Sequence, residues 1–351
     1  MSEDLLAWVD GPVGRLVLNR PAALNSLTHQ MILDMDRVLT AWAEDKAVKT
    51  VLIEGAGDRA FCSGGDIVGL YAMRETDIAG GRAFWADEYR LNWRVATFPK
   101  PFVALMDGIV MGGGVGVSAH ASHRIVTETT RLAMPECAIG LIPDVGGTML
   151  LHQAPGRLGL WAGLTGARLD GADAIHLGFA DTFVPRSALK GLVEALVAGA
   201  PTDEAVAAVK APVPEAASAR YQAEIDEVFS EDNLGAIAAR LEDAKGHWAD
   251  PARKGFAAGA PFALAATFEA QRMAAGFTSL AEALALEYRF SHRAMAGGDV
   301  FEGIRAMVID KDRNPRWAPG RLEDVNRDEV RAWLAPLGED ELLFPDKERA
   351  K

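Results

Sequence analysis

The chain is 351 residues long, 49% hydrophobic and 24% charged, with a net charge of -13. That length and balance allow a large buried core or two domains. So acidic a chain, with no Lys/Arg run longer than two, repels phosphate backbones and is expected to bind no nucleic acid.

The two cysteines, Cys62 and Cys137, form no CxxC pair and have no histidine at ligand spacing, which argues against a disulfide framework and a zinc site. The N-terminal "MSEDLLAWVD" lacks the charged-then-apolar pattern of a secretory signal, and no apolar run reaches membrane-spanning length. The expectation is a soluble cytoplasmic protein with reduced thiols and no membrane partner.

In chain order, "GRLVLNRP" (14–21) reads as a strand and 26–45 as a helix capped by Ser26 or Thr28. "KTVLIEGAG" (49–57) reads as a buried strand, and "AFCSGGDIVGL" (60–70) as a turn entering a helix. Residues 81–97 form an aromatic-rich helix, and "KPFVALMDG" (100–108) another buried strand. "IVMGGGVGVSAHAS" is a glycine loop that runs into a helix, and "HRIVTE" and "RLAMPE" are short strands. The next helical stretch breaks at Pro155, and "ADAIHLG" and "FADTFVP" add a helix and a strand. From about residue 186, Ala, Leu and Glu at helical spacing dominate, ending in a polar connector, 309–325, anchored by Trp317. The pattern predicts an α/β fold with a mostly helical C-terminal region, divided at 1–200 and 201–351.

Two glycine loops follow buried strands: Ser63-Gly64-Gly65-Asp66 and Gly112-Gly113-Gly114. Neither matches a P-loop or a dinucleotide fingerprint. They either permit tight turns or converge two free amides on one oxyanion. Ser63 and Ser118 lie in no GxSxG elbow, and His120 and His123 read as packing or surface residues.

"MPECAIGLIPDVGGT" (134–148) places Glu136 and Asp144 in an apolar run. Two acids in one apolar pocket raise each other's pKa and can divide the work of a proton donor and a carboxylate. The plainer alternative is that each caps a helix start.

"LNRPAALNSLTHQMI", "AFCSGGDI", "KPFVALMDGIVMGGGVGVS" and "AMPECAIGLIPDVGGT" together resemble the crotonase (enoyl-CoA hydratase/isomerase) superfamily. "DEYRLN" (87–92), "LALEYRFSHRAM" (284–295), "FEGIRAMVIDKDRNPRW" (301–317) and "LGEDELLF" (337–344) resemble its branch that hydrolyses 3-hydroxyisobutyryl-CoA in valine breakdown. The resemblance spans nearly the whole chain. It implies a spiral of repeated ββα units and an oxyanion hole made by the Gly65 and Gly113 amides. It also implies that Leu24, Ser63, Gly65 and Ile67 bind coenzyme A, with Arg59 near the nucleotide phosphates or merely on the surface. Glu136 would be the nucleophile or general base, assisted by Asp144. Glu88 would bind the substrate's 3-hydroxyl, unless it sits on a solvated helix face. Hydratases of the superfamily carry an acid shortly after the glycine triplet; here that position is Gly116. The resemblance thus implies an acyl-CoA partner, no cofactor beyond the coenzyme A of the substrate, and a homo-oligomer. A hydratase or isomerase on the same fold, or a non-catalytic homologue, are the alternatives.

Overall fold

The computed structural model describes residues 2–345; Met1 and 346–351, at the outer ends of the two expected regions, lie outside the described residues. Among the described residues, nine strands form two sheets. β1 (Leu5–Asp10), β2 (Val13–Leu18), β3 (Thr50–Gly55), β5 (Phe102–Met106), β7 (His123–Val126) and β9 (Thr182–Phe183) lie side by side in that order. β4 (Ala60–Cys62), β6 (Ile109–Met111) and β8 (Arg131–Ala133) make the second sheet. Among the described strands, only β1 and β2 pair antiparallel; every other pair is parallel.

Each repeat therefore lays one strand in each sheet before a helix returns the chain. β3 and β4 lead to α2 (Ile67–Met73) and α3 (Ile78–Ala96), whereas β5 and β6 lead to α4 (Gly113–Gly116). α1 (His29–Glu44) precedes the first full repeat, its N-terminus capped by the Thr28 hydroxyl, which accepts from the Met31 amide. This is the ββα spiral of the crotonase fold. Parallel strands buried on both faces need unbroken apolar runs, and "FVALM" in β5 is buried throughout.

Side-chain alternation divides the core. Val51, Ile53, Phe102, Ala104 and Met106 face the larger cluster, which runs from Leu5 to Leu342 and takes in the C-terminal helices. Leu52, Val103, Leu105 and Ile125 face the other way, where Leu192, Leu196, Ala205 and Val206 cover them. Those four lie on the helices Leu189–Val197 and Thr202–Val209.

The helical stretch after Asp144 breaks as expected at Pro155, into Gly147–Gln153 and Leu158–Thr165. Three strands differ from the sequence reading. β1 lies in the N-terminal segment, β4 where a turn was expected, and β6 inside the expected glycine loop. β4 and β6 have three residues each, too few to show an alternation, and are fixed by pairing with each other and with β8. No helix among the described residues is long and apolar enough to cross a membrane.

Candidate active site

The two glycine loops meet. A Cβ on Gly113 would stand 3.3 Å from the Gly65 nitrogen and would collide with Oε1 of Glu88. Only glycine permits this approach of two chains and a carboxyl. Gly113 opens α4, so its N–H has no partner within the helix. Among the described residues, neither the Gly65 nor the Gly113 amide donates to a backbone acceptor.

A cavity of about 240 Å³ lies over these loops, lined by Gly65, Gly113, Glu88, Glu136 and Asp144. Ser63 and Ile67 line its mouth as well, with Phe84, Leu141 and Met307 as apolar wall. Leu24 does not line it. It lines an adjoining cavity of about 230 Å³ together with Pro21, Asn25 and Arg59. The two are joined by backbone, since the Ser63 amide donates to the Leu24 carbonyl at 3.0 Å. The Arg59 guanidinium donates to the Pro21 carbonyl at 2.9 Å and so braces this loop.

Glu88 is on the buried stripe of α3, with Gly81, Phe84, Trp85, Asn92 and Val95 at helical spacing. It is 2% exposed, which rules out the solvated-face alternative. Glu136 opens a short 3-10 helix, Glu136–Ile139, right after β8. Its side chain caps nothing and points inward: a Cβ on Gly112 would lie 3.1 Å from its Oε1. Glu88 Oε1 and Glu136 Oε2 are buried without a hydrogen-bond partner among the described residues. Asp144, 5% exposed, accepts a hydrogen bond from the Tyr89 hydroxyl at 2.7 Å.

Burial raises all three carboxyls, but unequally. Asp144 is pushed up to about 6, because the Tyr89 hydroxyl and its own amide offset part of the desolvation. Glu88 and Glu136 are held well above the usual range by burial first and by the Asp144 charge second. Asp144 therefore ionises first, and its charge keeps protons on the other two.

Gly116 leaves no space for an acid. A Cβ there would stand 2.6 Å from Asn92 Nδ2 and 2.7 Å from the Val145 Cβ.

Two groups of the site escaped the sequence reading. Tyr89 follows Glu88 and holds Asp144. Glu287, on the helix Leu280–Ala294, is fully buried and accepts from the Gly146 and Thr148 amides at 2.7 and 2.8 Å. A signal for them was present: "EYR" occurs at both 88–90 and 287–289. The two helices carrying it cross, with the Tyr89 and Tyr288 rings edge to face at 6.3 Å. His120, expected to be a packing or surface residue, is half-buried, with Nε2 2.7 Å from the Val145 carbonyl. No group of three or more His, Cys, Asp or Glu among the described residues is arranged to hold a metal ion.

A family model described as enoyl-CoA hydratase/isomerase matches residues 13–334. The mitochondrial 3-hydroxyisobutyryl-CoA hydrolase of Xenopus tropicalis is 40% identical over 95% of this chain and 89% of its own length. The mitochondrial 3-hydroxyisobutyryl-CoA hydrolase of Homo sapiens is 36% identical over 98% and 91%. Among solved structures, an enoyl-CoA hydratase from Rhodobacter sphaeroides superposes with a TM-score of 0.92 at 48% identity, covering 97% of this chain and 100% of the other. A carnitinyl-CoA dehydratase from Mycobacterium thermoresistibile gives 0.93 at 46%, covering 98% and 99%.

Proposed function

Since the chain belongs to the enoyl-CoA hydratase/isomerase family, we propose that it is an acyl-CoA thioester hydrolase of valine catabolism, cleaving 3-hydroxyisobutyryl-CoA to 3-hydroxyisobutyrate and coenzyme A, the substrate named for its curated relatives. One observation carries the choice between hydrolase and hydratase. Asn92 and Val145 fill the space beside Gly116, so a second hydratase acid has no place there, while Asp144 joins Glu136 from another direction.

The thioester oxygen would sit between the Gly65 and Gly113 amides, where the negative charge of the tetrahedral intermediate is stabilised. Glu136 and Asp144 share one proton near neutral pH. With the empty site favouring the Asp144 carboxylate, one proton passes from Glu136 to Asp144 to arm the pair. The Glu136 carboxylate then takes a proton from water as the water adds to the carbonyl carbon, or adds itself. As the C–S bond breaks, Asp144 gives its proton to the departing sulfur. In the water route this leaves Glu136 protonated and Asp144 ionised, the resting arrangement; in the other route the Asp144 carboxylate then takes a proton from a water that opens the acyl–Glu136 anhydride, releasing the acid and the Glu136 carboxylate. Glu88, with a free oxygen above Gly113, would hold the 3-hydroxyl. The Leu24 loop and the Ser63 and Ile67 backbone would take the adenine end of coenzyme A, the Ser63–Leu24 hydrogen bond tying the walls of the two cavities together. These steps require no metal or redox cofactor.

A reducing working compartment is supported by two buried, unpaired thiols, Cys62 and Cys137, and the cytoplasm is one such compartment. Self-association is supported by β1, an edge strand exposing Leu6, Trp8 and Val9.

The test supplies 3-hydroxyisobutyryl-CoA and, separately, crotonyl-CoA, and follows free thiol and enoyl absorbance. Thiol release from the first with the second unchanged is the expected result. Loss of enoyl absorbance without thiol would establish a hydratase instead, and silence from both would leave either a different acyl group or a binding protein.

A further inference from the structure

The loop that carries Asp144 is strained. Val145, a β-branched residue, has a φ of +53°, and Gly146 follows at +84°. A β-branched residue in the left-handed region costs on the order of 1–3 kcal/mol and persists only where its surroundings impose it. Two side chains from distant segments impose it here. His120, beyond α4, reaches the Val145 carbonyl. A carbonyl only accepts, so Nε2 carries the proton, in keeping with a ring that burial pushes down to about 4. Glu287, from the C-terminal helical region, takes the next two free amides with a separate oxygen each: Oε2 on Gly146 and Oε1 on Thr148. Gln271 completes the grip by donating to the Thr148 carbonyl at 3.0 Å.

We propose that Glu287 is the positioning residue for Asp144: by holding two successive free amides of the strained turn, it fixes where the Asp144 carboxyl meets Glu136 and the Tyr89 hydroxyl. The proposal rests on the hydrolase reading. Glu287 lines neither the acyl cavity nor the Leu24 cavity, so it acts through the loop and touches no reacting atom. A fully buried acid with no Lys, Arg or His partner among the described residues is costly to keep as mere scaffold. The amides that Glu287 takes are those of the N-cap, Gly146, and of the second helical residue, Thr148, and a serine or aspartate of the loop itself could satisfy the latter. Placing the acceptor on the helix Leu280–Ala294 instead ties the turn to the element that packs against α3, the helix of Glu88 and Tyr89. Both walls of the site are thereby set by one helix crossing.

The test compares Glu287→Gln and Glu287→Asp with the unaltered enzyme on 3-hydroxyisobutyryl-CoA. Gln keeps the size but turns an NH₂ group toward one of the two amides, donor against donor. Asp keeps the acid but cannot span both. For either variant, kcat is expected to fall roughly tenfold or more with KM within about twofold, the signature of a misplaced group rather than a damaged binding site. Amide hydrogen exchange at Gly146 and Thr148 is expected to quicken. Should Gln prevent folding, the Asp variant carries the same comparison. Unchanged kcat in a folded variant, or a rise in KM alone, overturns the positioning role. An unaltered enzyme that releases no thiol overturns the hydrolase reading itself, and the role with it.

Discussion

Glu88 and Glu136 each keep one buried carboxyl oxygen without a partner among the described residues, in the one cavity they both line. An unsatisfied buried acceptor costs about 1–3 kcal/mol, so a ligand that supplies a donor recovers that energy on binding. For Glu88 the donor would be the 3-hydroxyl of the acyl group. Glu88→Ala is expected to reduce kcat/KM for 3-hydroxyisobutyryl-CoA by about tenfold to a hundredfold, while isobutyryl-CoA, which lacks the hydroxyl, changes little. Equal losses on both substrates would assign Glu88 to the reaction rather than to selection. Of the acids in this cluster, Glu88, Glu136 and Asp144 were legible in the sequence because each interrupts an apolar or glycine-rich pattern or matches a motif. Glu287 was not. It falls inside a helix already rich in charge, and nothing local separates a Glu that faces solvent from one that reaches across to another loop.

The turn from Asp144 to Thr148 is the element on which the arrangement depends. Gly146 occupies the left-handed region, and a Cβ there would stand 2.5 Å from His120 Nε2 and 2.6 Å from Leu280 Cδ1. Gly146→Ala therefore combines backbone strain with two collisions, and is expected to destabilise the fold by about 2–4 kcal/mol. Denaturant unfolding would measure it, and a loss below about 0.5 kcal/mol would mean that the turn relaxes freely. Elements with a long period were readable from the sequence: α1 and α3 from their apolar stripes, β3 and β5 from unbroken apolar runs. Elements that exist only through pairing were not. "AFC" and "IVM" have no signature of their own and become strands because the spiral lays "AFC" beside "IVM" and "IVM" beside "RLA". The site inherits this limit. Gly65 and Gly113 each follow one of these short strands, so their convergence is a tertiary fact that the glycine spacing only hints at.

At the scale of the whole molecule, the buried acids couple the site to stability. A carboxyl whose folded pKa is raised still holds its proton after the unfolded chain has released it. Between the two values folding takes up a proton, and stability falls as pH rises. Asp144 contributes this slope from its ordinary 3.8 up to about 6, and Glu287 from 4.5 up to about 8. His120 works in the opposite direction. Its folded value is pushed down to about 4, so stability gains from it as pH rises toward 6.5, and it is silent above. In the window from pH 6.5 to 8 Asp144 and His120 are past their own transitions, and Glu287, Glu88 and Glu136 all lower stability as pH rises. At about 1.4 kcal/mol per pH unit for a fully protonated group, Glu287 alone should remove about 1–2 kcal/mol across it. Urea unfolding at pH 6.5, 7.2 and 8.0 is expected to show stability decreasing, and Glu287→Gln should flatten that slope. A variant with the slope of the unaltered chain would mean that the titrating carboxyls are those of Glu88 and Glu136.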